Sequence, residues 1–120
     1  MNGNIVIDMP DRRFYHKHAQ ETSRESYEEA KKYITGVRGK VLTFFSQGWA
    51  LTPDEAAARI DVGILTVRPQ CSALLSAGLL EILLDENGHK VRRPNISGKN
   101  AMVHLVSEKG IELVRQASAA

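Results

Sequence analysis

Thr52-Pro53-Asp54-Glu55-Ala56-Ala57-Ala58, followed by Thr66-Val67-Arg68-Pro69-Gln70-Cys71-Ser72-Ala73-Leu74-Leu75-Ser76-Ala77-Gly78, is the part of the chain that decides its fold. Thr52 and Glu55 have the spacing of a capping box. Pro53 stands at the first helical position, where its fixed φ and missing N–H do no harm. A helix is therefore expected from here to about Ile60, with alanines small enough to let a second helix approach closely. Asp61-Val62-Gly63 reads as a turn. The next helix is expected over about Val67 to Ala77, with Pro69 in its first turn because a proline further in would break it. Val67, Cys71, Leu74 and Leu75 recur at i, i+4, i+7 and i+8 as its buried stripe, and Gly78 ends it.

Upstream, Val37, Val41, Phe44 and Phe45 repeat that spacing on a helix starting near Arg38 and stopping at Gly48. Residues 21–35 also read as helical, with Glu28 four residues before Lys32. Gly36 and Gly39, each costing about 1 kcal/mol relative to alanine, mark a kink or break between the two helices. Residues 1–20 hold a short apolar stretch at Ile5 to Ile7 and Pro10, without helical periodicity, and read as an extended or partly disordered arm.

Downstream the period changes to two. Leu80, Ile82 and Leu84 share one strand face, and Ala101, Val103 and Leu105 form a matching alternation. Asn87-Gly88 is a strong hairpin signal, and Ser97-Gly98-Lys99-Asn100 leaves room for a brief extra strand from His89 to Arg93. Ser107 to Ala117 reads as a closing helix with Ile111, Val114 and Leu113 inward. The expected class is mainly α with a small antiparallel β-ribbon (α+β). One domain over residues 21–120 carries an N-terminal helical extension behind the arm of residues 1–20.

At 120 residues and 42% hydrophobic content the chain suits one small core without staples. Cys71 is the sole cysteine, which excludes an internal disulfide and a cysteine-based zinc site. On the apolar stripe, it reads as a buried, inert thiol. Lys and Arg number 16 against 14 Asp and Glu, a net +2 that permits nucleic acid without demanding it. No apolar run approaches the roughly 20 residues of a membrane span, and the N-terminus lacks the pattern of a secretory signal, so a cytoplasmic protein with no membrane partner is expected. His16 and His18 have no third ligand nearby. Ser97-Gly98-Lys99 lacks the flanks of a phosphate-binding loop, and no serine, histidine and acid grouping suggests catalysis. Neither enzyme activity, metal nor cofactor is expected. His104 alternates with Val103 and is expected at the surface.

Helix, helix, turn, helix and ribbon is the order of a winged helix-turn-helix. The stretches Leu51 to Ala57, Thr66 to Leu74, Ala77-Gly78-Leu79-Leu80-Glu81, and Ser97-Gly98-Lys99 before Ala101-Met102-Val103 resemble the winged-helix domains common in phage and prophage proteins. The resemblance covers roughly Arg38 to Leu105. Gln70 departs from it, standing where a second arginine is usual, and Ile82-Leu83-Leu84 is unusually apolar for it. The resemblance implies double-stranded DNA as partner, the third helix in the major groove, the ribbon on the backbone, and a transcriptional or DNA-transaction role.

At 100° per residue the third helix turns Pro69, Ser72, Ala73 and Ser76 away from its stripe, with Arg68 and Gln70 on the flanks. The candidate reading residues are Thr66, Arg68, Gln70, Ser72, Ala73 and Ser76. Arg68 can pair with guanine and Gln70 with adenine, each through two hydrogen bonds. His89, Lys90, Arg92, Arg93 and Lys99 are expected around the ribbon tip, against phosphates or the minor groove, partly offset by Glu81, Asp85 and Glu86. Arg12, Arg13 and Lys17, interleaved with Phe14 and Tyr15, are candidate arm contacts. A solvated helix face, a solvated hairpin tip and a partner-docking tail account for the same residues without DNA.

The alternative function is a protein-interaction module, an adaptor or inhibitor docking on a host or phage protein. The weak net charge and the apolar second strand support it. A homodimer is expected through Tyr27, Ala30, Tyr33 and Ile34 or the C-terminal helix. Arg68 and Gln70, at about 1–3 kcal/mol each, barely reach the roughly 4–10 kcal/mol that separates specific from non-specific binding.

Overall fold

The computed structural model describes residues 5–6 and 31–119. The order is β1 (Ile5–Val6), a 3-10 turn (Lys31–Tyr33), α1 (Gly36–Phe45), β2 (Trp49–Ala50), α2 (Pro53–Ile60), α3 (Ile64–Ser76), β3 (Leu80–Ile82), β4 (Arg92–Pro94), β5 (Asn100–Met102), β6 (His104–Val106) and α4 (Glu108–Ala119). The class is the expected α+β, helices with small antiparallel sheets.

The capping box forms as its spacing requires. The Thr52 hydroxyl accepts from the Glu55 N–H at 3.2 Å, and the Glu55 carboxylate accepts from the Thr52 N–H at 3.0 Å. Asp61 closes α2 in the left-handed region at φ 63, which a short polar side chain tolerates. Ala56 and Ala57 face inward, where they meet Val67, Cys71 and Leu74 of α3 and Val41, Leu42 and Phe45 of α1 in one core. Leu79, Leu80, Val106 and Leu113 complete it. Each buried leucine or phenylalanine contributes about 1.5–3 kcal/mol.

The stripe on α1 differs from its expected membership: Leu42 is buried, Phe44 is half-buried and Val37 is 37% exposed. Gly39 does not break this helix. A side chain there would collide with the Ile34 carbonyl, so the glycine permits a close approach of the preceding chain. Of the helix expected over residues 21–35, residues 21–30 lie outside the described residues and Lys31–Tyr33 is a 3-10 turn. Tyr33 and Ile34, expected at a dimer contact, are half-buried with one side against the core. Tyr27 and Ala30 lie outside the described residues, as do Arg12, Arg13 and Lys17.

β6 pairs antiparallel with β3, with Leu80 opposite Val106 and Ile82 opposite His104. Its other edge is also taken: His104 and Leu51 exchange backbone hydrogen bonds of 2.8 and 3.0 Å. A strand bonded on both sides lies inside the molecule, and His104 is 6% exposed, contrary to the surface position expected from alternation. Its Nδ1–H donates to the Met102 carbonyl at 3.0 Å. Burial pushes its imidazole below the usual 6.5, so the ring stays neutral more readily than a free histidine. β1 joins β2, with Ile5 opposite Ala50 and Val6 opposite Trp49.

Beyond β3 the ribbon branches. Leu83 donates its N–H to the Val103 carbonyl at 2.8 Å, Val103 to Val91 at 2.9 Å, and Val91 to Leu83 at 2.9 Å. This closed cycle joins the β3/β6 ribbon to two further ribbons, one through the Leu84 and Lys90 bridge and one formed by β4 and β5. Both tips are built alike. Asp85 and His89 close one three-residue loop, Asn95 and Lys99 the other, and each loop ends in a glycine with positive φ, Gly88 at 82° and Gly98 at 87°. The extra strand expected over residues 89–93 is thus present, with β4 itself spanning Arg92–Pro94.

α4 packs with Leu113 as its most buried apolar side chain and Ile111 and Val114 beside the core. Gly110 lets this helix pass against the Leu79 carbonyl, which a larger residue would strike.

Candidate nucleic-acid interface

α3 starts at Ile64, three residues before the expected position, with Gly63 as its N-cap. Pro69 is therefore its sixth residue and not in the first turn. The missing proline N–H would have bonded the carbonyl of Leu65, a residue 80% exposed, so water can satisfy that oxygen. The helix survives because its later turns are held by Cys71 and Leu74, both buried. Burial pushes the Cys71 thiol up to about 12, consistent with an inert side chain.

Opposite that stripe, Thr66, Arg68, Pro69, Ser72 and Ser76 are exposed and Ala73 is half-buried. The face is shallow and carries one long cation. Arg68 donates from Nε to Asp54 Oδ1 at 2.8 Å and from Nη2 to Oδ2 at 2.7 Å. These bonds hold the Asp54 carboxyl below the usual carboxylate range, against the opposing effect of its partial burial. Gln70 is half-buried and turned toward α1, where its Oε1 accepts from Arg38 Nε at 2.8 Å. Arg38 in turn lies 5.6 Å from the Tyr33 ring centroid. Bidentate reading of adenine needs both ends of the glutamine amide, and one of them is already bound to Arg38.

The wing cations separate into different places. His89 and Lys90 are exposed beside the first tip, Lys99 is exposed beside the second, and Arg92 is exposed on β4 between them. The two loops close separately, one between Asp85 and His89 and the other between Asn95 and Lys99, so a single basic tip is not what forms. The first tip also carries its own acid. Asp85 Oδ1 accepts from the Asn87 and His89 backbone N–H groups at 2.9 Å each, and its other oxygen lies 3.8 Å from the His89 ring.

Arg93 faces the body. It donates from Nε to Glu55 Oε2 at 2.9 Å, and from Nη2 to Glu55 Oε1 at 2.6 Å and to the Ala50 carbonyl at 2.9 Å. The expected phosphate contact thus becomes a brace between β4 and the start of α2. Glu55, read in the sequence only as part of the capping box, and Asp54, given no role there, are the residues that the sequence pattern does not reveal. Carboxylates in a first turn complement the helix dipole, and that local signal hides any longer-range partner.

Among the described residues no three His, Cys, Asp or Glu side chains gather in a metal-binding arrangement, and no helix is long and apolar enough to cross a membrane. No known family model matches the chain, and no curated protein matches it. Two solved structures are similar over most of its length. The S. aureus MepR–DNA complex has a TM-score of 0.54 at 16% identity, covering 88% of this chain and 80% of that one. RV1404 from Mycobacterium tuberculosis has a TM-score of 0.55 at 15% identity, covering 94% of this chain and 74% of that one. At these identities the likeness is one of fold. The fold is that of a winged helix.

Proposed function

We propose that the chain is a non-enzymatic regulator of the phage and prophage kind that binds double-stranded DNA in the cytoplasm, with α3 in the major groove and the wing on the flanking backbone. The outer face of α3 carries this reading: Thr66, Arg68, Pro69, Ser72 and Ser76 are exposed, opposite the buried Val67, Cys71 and Leu74. Small side chains let the helix come close to base edges, where Arg68 offers donors to guanine O6 and N7. Lys90, Arg92 and Lys99 supply charge for phosphates, and His89 adds to it when protonated. The likeness to MepR, which was solved bound to DNA, supports the same reading. Gln70 serves as a link to α1, so base reading rests on Arg68, Thr66 and the serines.

One such helix supplies little discrimination, and a two-fold dimer on half-sites about 34–36 Å apart doubles it. Light scattering behind size exclusion tests this, with a dimer at micromolar concentration expected. The decisive experiment is a titration against random duplex DNA at two salt concentrations. Binding that weakens steeply with salt is expected, and binding absent at both refutes the proposal. A second reading, docking on a protein partner, is favoured by the exposure of Leu65, of Leu84 at 53% and of Ile96 at 97%. It predicts no salt-dependent duplex binding.

A further inference from the structure

We infer that Asp54 is a positioning residue for base reading: it holds Arg68 by one edge of the guanidinium and leaves the other edge directed outward for a guanine. This rests on the DNA-binding reading above and assigns its specificity to a pair of residues on different helices.

The guanidinium carries its N–H groups in a rigid plane, one on Nε and two on each Nη. Asp54 takes the Nε and one Nη2 hydrogen, through bonds of 2.8 and 2.7 Å. The two hydrogens on Nη1 and the second on Nη2 remain. They form an edge with two donors side by side, which is what guanine O6 and N7 require. Carboxylate and base therefore do not compete for the same hydrogens.

Burial supports this division of labour. The Asp54 side chain is 11% exposed and that of Arg68 is 44% exposed, so the acid sits behind the arginine. Asp54 belongs to the first turn of α2, which the Thr52 capping box and the packing of Ala56 and Ala57 hold in place. A flexible arginine on an otherwise low-profile face would have to give up its rotamer freedom on binding, whereas here much of that cost is met during folding. The arrangement also changes what the charge does. Beside Asp54 the pair is close to neutral at a distance, so Arg68 adds little to general phosphate attraction while keeping its directional donors.

The test begins with sites selected from a random duplex pool by the full chain, and with the base pair at which Arg68→Ala abolishes a guanine preference. Asp54→Ala is expected to reduce the preference at that pair about ten-fold, while affinity for random duplex rises a few-fold as the unpaired Arg68 joins the phosphate attraction. Replacing the guanine with 7-deazaguanine, which lacks the N7 acceptor, should weaken the wild type and leave Asp54→Ala nearly indifferent. Asp54→Asn keeps one acceptor oxygen and should retain part of the preference, and it carries the test if the alanine variant does not fold. If folded Asp54 variants bind preferred and random duplexes more tightly with the guanine preference intact, Asp54 is a brake and the inference is overturned. Duplex binding with no guanine step dependent on Arg68 overturns this inference alone, whereas absence of any duplex binding removes the DNA reading beneath it.

Discussion

Arg68 and Arg93 were both expected on nucleic acid, and both are held by neighbouring carboxylates of the same helical turn, Asp54 and Glu55. The resemblance ends there. Arg68 is 44% exposed and gives one edge to its acid, while Arg93 is 21% exposed and shares its donors between Glu55 and the Ala50 carbonyl. A carboxylate partner therefore does not by itself withdraw a cation from binding; what decides is whether an outward edge remains. The first turn of α2 ties α3 and the ribbon together, through Asp54 to Arg68 and through Glu55 to Arg93. Glu55 Oε1 accepts at once from the Thr52 N–H and from Arg93, so helix capping and wing attachment share an atom.

The contrast can be broken at either arginine. Arg68→Ala should cost about 2 kcal/mol on the preferred duplex, and it should also lower folding stability because the 11%-exposed Asp54 carboxylate loses its donors. Arg93→Ala should act on the fold alone. It is expected to lower the free energy of unfolding by about 1.5 kcal/mol in a urea titration, because a half-buried carbonyl and carboxylate lose their donor, and to leave the salt slope of binding unchanged. Replacing Lys90 and Arg92 together by alanine should flatten that slope by roughly two units, and a flat slope after Arg93→Ala instead would place the brace on the DNA after all.

A smaller effect acts on the side where Arg93 is fastened. β6 bonds Leu51, next to Ala50, through the buried His104. Burial lowers the pKa of His104 in the folded state, so below its usual value of 6.5 the unfolded chain takes up a proton that the folded chain resists. Stability should therefore fall as pH drops from 6.5, by no more than about 1.4 kcal/mol per unit for this group. Denaturant midpoints across that range should lose this component of their slope in His104→Gln. A slope unaltered by the substitution would show that His104 titrates alike in both states.

What was legible in the chain was local. The Thr52 and Glu55 box spans four residues and forms as read, and Val67, Cys71 and Leu74 are buried as their spacing demands. Both hairpin glycines lie where the turn residues put them. The early start of α3 was hidden because Gly63 caps through its backbone alone and Leu65 points to water, so neither a capping side chain nor an apolar repeat marks those residues. His104 was misplaced because its strand has a second neighbour, Leu51, beyond a β2 of only two residues, too short to show alternation. Alternation also fails beyond β3, where exposure rises from Leu80 at 1% to Leu84 at 53% as the ribbon leaves the body. The fates of Arg68, Gln70 and Arg93 depended on partners 14, 32 and 38 residues away, a range at which periodicity carries no information.

The cycle of backbone bonds through Leu83, Val91 and Val103 makes the wing modular. Each of the three residues spends one donor and one acceptor inside the cycle, so neither tip is needed to complete the other's ladder. The loop at Asn87-Gly88 and the loop at Ser97-Gly98 can lengthen, shorten or change charge separately, and the register at Leu80 and Val106 is insulated from both. A protein with this junction can alter its reach along a partner by growing one hairpin while the other, braced through Arg93, keeps its place on the body.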